Sequence, residues 1–588
     1  MDGGTCGPMF TRSSNVLRNV YEFPIVNINF EMSKRMKDSA QARPVFDTLN
    51  DLGATPWIIN KSMLKELIRA FDFSYKVENK QLLKSLAISM HSSTIQVPTI
   101  HEYFDVRNVS NISSVEWFKF SKMEHMLIKQ QNESNSLWCW LMYRIVLANH
   151  YRDEVLYFPH NMDFRGRVYP ISPHLNHMGD DINRCLLKFA RGKPLGEKGF
   201  EWLKLHCINL TGLKKKCSIA ERLEFAEENM DNILKSANDP WAKDSWWLES
   251  EEPWQTLSVC MEIRDVLQSG QDPRDFVSHL PVHQDGSCNG FQHYAALGRD
   301  QQGASEVNLL PTEFPADIYS NVAARHLELK MKAAKTMKFR ELALDLRAHI
   351  KEPIPRKLIK QTVMTTIYGV TMFGAREQIK RQLKAIDMPS DKLMKFSSYI
   401  AKKTLGGLNE SFESSMKLKD WFRHCARAIV KLMQPVEWVT PLGLPVMQPY
   451  VKASKKFDLL CNVPISSKQV DAFPPNFVHS LDSTHMMLTT LYCRQKGVTF
   501  AAVHDCFWTH AADVEIMNEI CRDQFIQLHN QPIVENLGKQ FKDIYLTKKE
   551  IENMSPETFQ SFNASFTPKH KRGSLDIEQI RKSVYFFS

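Results

Sequence analysis

The sequence predicts a helix-rich, mixed α/β fold, and three observations carry that expectation. Up to about residue 155, apolar residues recur at helical spacing, as in Met63, Leu64, Leu67, Ile68 and Phe71. From Tyr157 onward, short apolar runs alternate with helical stretches and with glycine turns such as Arg165-Gly166-Arg167, Asp285-Gly286 and Leu442-Gly443. No repeat and no low-complexity linker divides the 588 residues, so the chain reads as one large assembly of subdomains. With 43% hydrophobic and 24% charged residues it is neither disordered nor collagen-like.

Charge and cysteine usage narrow the class. Lysine and arginine number 75 against 66 aspartate and glutamate, a net +9 that excludes a histone-like arm but suits a basic groove on a mixed surface. Twelve cysteines without a CxxC pair argue against a disulfide framework and against a cysteine zinc site, which points to a reducing compartment. The most apolar stretch, Trp138 to Ala148, is interrupted by Arg144, so no membrane span is expected. The start, MDGGTCGPMFTRSS, resembles neither a secretory signal nor a transit peptide.

The elements follow in chain order. Residues 1 to 155 read as helical, with a long helix expected over about 114 to 149. In PHNMDFRGRVYP (159 to 170), Arg165 and Arg167 flank a glycine and can offer planar donors to phosphate or ribose, though Arg-Gly-Arg turns also occur on ordinary surfaces. Ser278 to Val282 reads as a strand running on to Asp285, followed by the turn and helix of HQDGSCNGFQH (283 to 293). A carboxylate at a strand end beside glycines can hold a divalent cation; Asp-Gly is equally a common turn dipeptide.

EPIPRKLIKQTVMTTIYGVTMFG (352 to 374) predicts a helix over 355 to 368, with proline at its start and Gly369 at its end. Arg356 and Lys360 share one face near the positive end of the helix dipole, which suits a triphosphate; a solvated charged face is the plain alternative. In VHDCFWTH (503 to 510), Asp505 again ends an apolar stretch. Two such aspartates on adjacent strands can share two hard cations about 3.5–4 Å apart, the geometry of phosphoryl transfer. An iron site on His283 and Asp285, or zinc on His504 and His510, uses the same residues but leaves the basic helix unexplained.

Taken together, DFRGR, DGSCNGFQH, RKLIKQTVMTTIYG, PPNFVHSLD and HDCFWTH resemble the single-subunit, phage-type RNA polymerases. HNMDFRGRVYP, SHLPVHQDGSCNG, VEWVTPLG, FPPNFVHSLDS and the final Tyr585-Phe586-Phe587-Ser588 are most similar to the animal mitochondrial branch, and the likeness is strong over 157 to 588. It implies a right-hand fold: 1–65 a remnant of an N-terminal domain, 66–155 a thumb-like helical region, 156–301 the first palm segments with inserted helices, 302–474 the fingers, and 475–588 the rest of the palm with a C-terminal foot. It implies a template-dependent nucleotidyltransferase using two Mg²⁺ ions, a DNA template, an RNA product and rNTPs. Mitochondrial initiation and elongation factors, a monomeric state and a mitochondrial location come with it.

The resemblance also assigns residues. Asp285 and Asp505, with the backbone at Gly286, would hold the metals, and Lys360 joins the two aspartates as catalytic. Arg356 and Lys360 would hold the triphosphate, Tyr368 and Gly369 would close over the new pair, His479 would face the ribose, and Arg167 would contact the 2′-hydroxyl side. His504, Arg165, Gly290 and Tyr319 are supporting residues, while His283 and His293 are structural. A related DNA polymerase usually carries a glutamate five residues beyond its first catalytic aspartate; Gly290 stands there, and the open position favours ribonucleotides. The rivals are such a DNA polymerase and a truncated, non-catalytic or initiation-defective isoform that binds nucleic acid. The segment from Pro449 to Phe473 reads less like a long β-ribbon than a promoter-reading hairpin should. With about 156 residues before the palm, the expectation is a chain that extends RNA on a scaffold but does not start from a closed duplex.

Overall fold

The computed structural model describes residues 40–104, 113–323, 337–350, 354–367, 369–456, 459–552, 554–568 and 572–588. Tyr368 and residues 1–39 lie outside the described residues. The helix-rich, mixed α/β character is as expected.

The first region comprises α1 (Arg43–Gly53), β1 (Trp57–Ile59), α2 (Lys61–Phe73) and α3 (Ser114–His150). Met63, Leu64 and Leu67 are buried on the inner face of α2, whereas Ile68 falls outside the stripe and is exposed. Local chemistry sets where these helices begin. The Asn60 side chain accepts from the Met63 amide at the start of α2, and Ser113 with Glu116 forms a reciprocal capping box at the start of α3.

The short strands then frame the centre. β2 (His160–Met162) and β3 (Val168–Pro170) form a hairpin whose loop carries Arg165-Gly166-Arg167, and β4 (Leu187–Phe189) pairs with β1. β5 (Lys193–Pro194) precedes the buried helices α4 (Gly196–Thr211) and α5 (Pro253–Gln268) and pairs with β6 (Val277–Ser278). β7 (Pro281–Asp285) leads through a tight turn into α6 (Asn289–Gly298).

A helical block follows: α7 (Arg356–Ile367), α8 (Met372–Lys384), α9 (Leu393–Ser411) and α10 (Glu413–Lys431). α7 ends as its sequence predicted. Gly369 sits at φ +77°, its amide donates to the Thr366 carbonyl and the Val370 amide to Thr365, closing a Schellman cap. The Lys419 ammonium adds a 2.6 Å bond to the Thr366 carbonyl at that same end.

β8 (Glu437–Val439) pairs with β9 (Pro445–Met447), and β10 (Val451–Lys456) pairs with β11 (Leu459–Pro464) from Val451 opposite Pro464 to Lys456 opposite Leu459. A short antiparallel hairpin thus lies within the 449–473 segment. The lysine-rich VKASKK has no apolar alternation of its own, and backbone pairing with the apolar LLCNVP makes it a strand. Next, α11 (Ser466–Gln495) contains Pro474 and Pro475 in its interior. Pro475 has no amide to return to the Asp471 carbonyl, and that carbonyl lies 3.3 Å from where a side chain on Gly369 would begin.

β12 (Ala501–Val503) and β13 (Cys506–His510) close the central sheet, in the order β12-β13-β7, before α12 (Val514–Asn530) and α13 (Ile533–Tyr545). Alternation along β13 lets one strand serve two cores. Cys506 and Trp508 join an aromatic cluster with Trp57, Trp247, Trp254 and Val282, while Phe507 faces a second cluster with Phe291, Phe477, Phe586 and the inner face of α7.

Candidate active site

The central sheet brings two distant aspartates side by side. Asp285 is the last residue of β7 and lies opposite Cys506, so Asp505 falls beside Gly286, whose amide donates to the Asp505 carbonyl at 3.0 Å. Asp505 occupies a two-residue hairpin turn with His504, which adopts φ +58°. A non-glycine residue there carries strain of about 1–3 kcal/mol, the kind that persists where neighbours over-determine a site.

Asp285 and Asp505 floor a cavity of 420 Å³ whose walls include Gly286, Gly290, Tyr319, Arg356 and Lys360. Arg356, Lys360, Met364 and Ile367 line it from one face of α7, as spacings of three and four residues require. The Arg356 guanidinium stacks over the Tyr319 ring at 4.8 Å, and the Tyr319 hydroxyl lies 3.4 Å from the Cys288 thiol. Partial burial, with Arg356 and Lys215 nearby, lowers the pKa of Lys360. Asp505 is half-buried, and desolvation together with the charges of Asp482 and Asp285 pushes its carboxyl up to about 7.

The other expected residues stand behind this cavity in a polar network. Arg167 donates to one Asp482 oxygen from Nε at 3.1 Å and Nη2 at 2.7 Å, and the Asn289 amide donates to the other at 2.5 Å. Although burial opposes it, the Arg167 charge is the main reason the Asp482 carboxyl falls to about 2. Arg165 is held by Asp163 and donates to His479 Nδ1 at 2.8 Å, which places the imidazole proton on Nε2; burial keeps that ring neutral. His504 packs edge-on to Tyr169, with its pKa lowered to about 4 by burial first and Arg167 second. Gly369 caps α7 and does not line the cavity.

Sequence reasoning overlooked several members. Asp482 stood in the PPNFVHSLD motif three residues after His479, a helical spacing that was readable as one face. Asp317 and the Lys214-Lys215-Lys216 run gave charge signals that went unread; Asp317, Lys215 and Lys216 line the cavity. His283 stacks on Trp508 at 3.7 Å and His510 bonds the Arg191 carbonyl at 2.8 Å, so both rings have structural work away from a shared metal.

Gly290 requires a correction. It lines the cavity, but the space a side chain would take is filled by Ile367, whose nearest atoms lie 3.0 and 3.1 Å from an added Cβ. The missing side chain lets α6 and α7 approach closely, and an open ribose pocket at this point is not observed. Gly290→Ala should therefore push the end of α7 outward by a few tenths of an ångström and weaken positioning of whatever Arg356 and Lys360 hold. We expect KM for nucleotide to rise roughly 3- to 10-fold with little change in thermal midpoint. Steady-state kinetics beside thermal unfolding checks this, and an unchanged KM would refute it.

Comparison with known proteins is consistent with this geometry. A family model described as DNA-dependent RNA polymerase matches residues 193–588. The mitochondrial DNA-directed RNA polymerase of Mus musculus is 46% identical over 485 residues, covering 78% of this chain and 39% of that protein. The Homo sapiens counterpart is 45% identical over 476 residues, with 78% and 38% covered. DNA-directed RNA polymerase 2B, chloroplastic/mitochondrial, of Nicotiana tabacum is 41% identical over 564 residues, with 93% and 52% covered. The chain thus spans about two fifths to one half of the length of these curated relatives. Because the family model takes in more than half of the chain and includes both sheet aspartates and the basic helix, the chain belongs to the DNA-dependent RNA polymerase family.

Proposed function

We propose that the chain is the catalytic part of a mitochondrial RNA polymerase that joins ribonucleotides to an RNA 3′ end on a DNA template. The observation that carries this reading is the single cavity in which Asp285 and Asp505 face Arg356 and Lys360. Residues 156–301 and 475–588 supply the palm around the central sheet, 302–474 the fingers, and the helices before 156 the thumb-like side. The template, the RNA, rNTPs and mitochondrial factors are the proposed partners, and the working form is a monomer.

The donor set suits Mg²⁺. Hard carboxylate oxygens crowd one place, and the desolvation and repulsion that raise Asp505 are offset by a divalent cation. Among the described residues no three metal-binding side chains form a cage, but Mg²⁺ commonly takes one or two carboxylates and completes its shell with phosphate and water. Two bound ions would supply positive charge at the attacking and leaving oxygens.

The chain's own residues do the rest. Arg356 and Lys360 hold the triphosphate along the face of α7, and the positive end of that helix adds to their pull. The Asp482–Arg167 pair, tied to Asn289, holds the base of α6 against α11 behind Asp505. His479, kept neutral and oriented by Arg165, presents Nε2–H for a ribose oxygen. Tyr368 and Gly369 close over the nascent pair, and Arg167 backs the sugar side through Asp482.

A primed RNA–DNA scaffold with Mg²⁺ and either rNTPs or dNTPs tests the reading. Extension with rNTPs, at least roughly 10-fold more efficient than with dNTPs, is expected, because a site that hydrogen-bonds a hydroxyl penalises its absence. Preferential use of dNTPs would favour the DNA polymerase reading. Scaffold binding without extension would favour the non-catalytic one.

A further inference from the structure

The cations of the cavity are held by a carboxylate that the nucleotidyl-transfer chemistry does not call for. Asp317 Oδ2 lies 3.4 Å from Arg356 Nε on one wall and 3.6 Å from Lys216 Nζ on the other, and it accepts from the Ser320 hydroxyl at 2.7 Å. Lys216 also donates to that hydroxyl at 2.6 Å. A second carboxylate, Glu251, pairs with Lys215 on the same side. One carboxylate oxygen thus gathers two cations from two separate chain segments and a hydroxyl from its own helix, which is how a phosphate oxygen would be received.

We infer that Asp317 stands in for a phosphate oxyanion in the resting cavity and competes with phosphate groups for Arg356 and Lys216. This positioning role rests on the polymerase reading above and concerns how tightly its anions are held. While the cavity is empty, the carboxylate keeps the two cations converged. When a triphosphate enters, its oxygens take over those cations, and when pyrophosphate is ready to leave, Asp317 recaptures them. The competition limits anion affinity and so prevents the product from lingering. Arg356 and Lys216 are respectively 34% and 61% exposed, so both retain the freedom to change partner.

Asp317→Asn separates charge from shape. Asp317 caps the short helix Ile318–Val322 through the Tyr319 amide at 3.0 Å, and asparagine caps equally well, so the variant should fold. The probe is inorganic pyrophosphate, titrated into the full chain by calorimetry with Mg²⁺ and used as inhibitor in scaffold extension. Removing one negative charge that faces the anion should tighten pyrophosphate binding roughly 5- to 10-fold in a half-exposed site. The inhibition constant should fall by a similar factor, while Asp317→Glu, which keeps the charge, should stay nearer the parent.

Unchanged or weaker pyrophosphate binding in Asp317→Asn overturns the inference, since the carboxylate would then merely buttress the cations. If the parent chain extends RNA and that result is found, the polymerase reading stands and the competition does not. If the parent fails to extend RNA yet the variant binds pyrophosphate more tightly, the competition stands and the polymerase reading falls.

Discussion

Asp505→Asn should lose RNA extension by at least about 10³-fold and, in metal-free buffer at pH 7 to 8, melt at a higher temperature than the parent. Both halves come from one carboxyl group. It is the proposed metal ligand, so its loss removes charge where the transferred phosphate needs it. It is also partly desolvated and set near the charges of Asp482 and Asp285, which pushes it up to about 7, well above its value in an unfolded chain. The sign follows from which state holds the proton. Below the unfolded carboxylate pKa both states are protonated and nothing is lost; as pH rises toward 7 the unfolded state ionises first and stability falls, by about 1.4 kcal/mol per pH unit.

Asparagine keeps the shape without that penalty. Scaffold affinity should change less than about twofold, because phosphate contacts elsewhere dominate it. Mg²⁺ should raise the midpoint of the parent but not of the variant. Near-normal extension by Asp505→Asn, or a lower midpoint without metal, would contradict the assignment. Asp285→Asn should show the same loss of extension.

Acid should unfold the chain near pH 5, at a pH where many proteins of this size are at their most stable. Burial holds His177, His206 and His293 to about 3, and His160, His485 and His504 to about 4. Above about 6.5 these rings are neutral in both states and impose no pH dependence. Between that point and their folded values the unfolded chain takes up protons that the folded chain refuses, so stability falls with pH at about 1.4 kcal/mol per unit for each ring. Asp505 and Asp181, both pushed up to about 7 by burial, act in the opposite sense and offset part of this. Several rings acting together are still comparable with a total stability of about 5–15 kcal/mol within two pH units.

Circular dichroism melts from pH 8 to 4.5 measure the effect. His206→Phe should move the acid midpoint downward, since the His206 ring packs on His283 at 4.7 Å and an aromatic ring keeps that contact. A thermal midpoint flat to pH 5 would rule the mechanism out.

What the sequence disclosed followed the range of each signal. Asp285, Asp505, Arg356 and Lys360 were legible because each sits at a marked place, a strand end or one face of a helix with proline before it and Gly369 after it. Periodicity located α3 almost to the residue. The space at Gly290 was misread because Ile367 is far away in sequence, and no local pattern says which side chain from another element will fill a gap. The strand character of VKASKK was hard to read for a related reason, since it becomes a strand only through its partner. Asp317 and Asp482 matter through ion pairs to Arg356, Lys216 and Arg167, and although Asp482 shares a helix face with His479, nothing local names the distant partners of either carboxylate.

The sheet order β12-β13-β7 also governs when the chain can become competent. β7 leaves the ribosome long before β13, and the whole helical block from α7 to α11 is made in between. Those helices can form from local contacts within microseconds, whereas the β7–β13 pairing must close one of the longest loops in the molecule. The entropy of that closure grows only slowly with loop length, so the pairing is delayed rather than forbidden. Until it occurs, Asp285 has no Asp505 beside it. A half-made or half-folded chain can display the basic face of α7, yet it lacks the paired carboxylates. Biosynthesis therefore separates the basic helix face from the paired carboxylates in time, and the pair appears only when the last strand is in place.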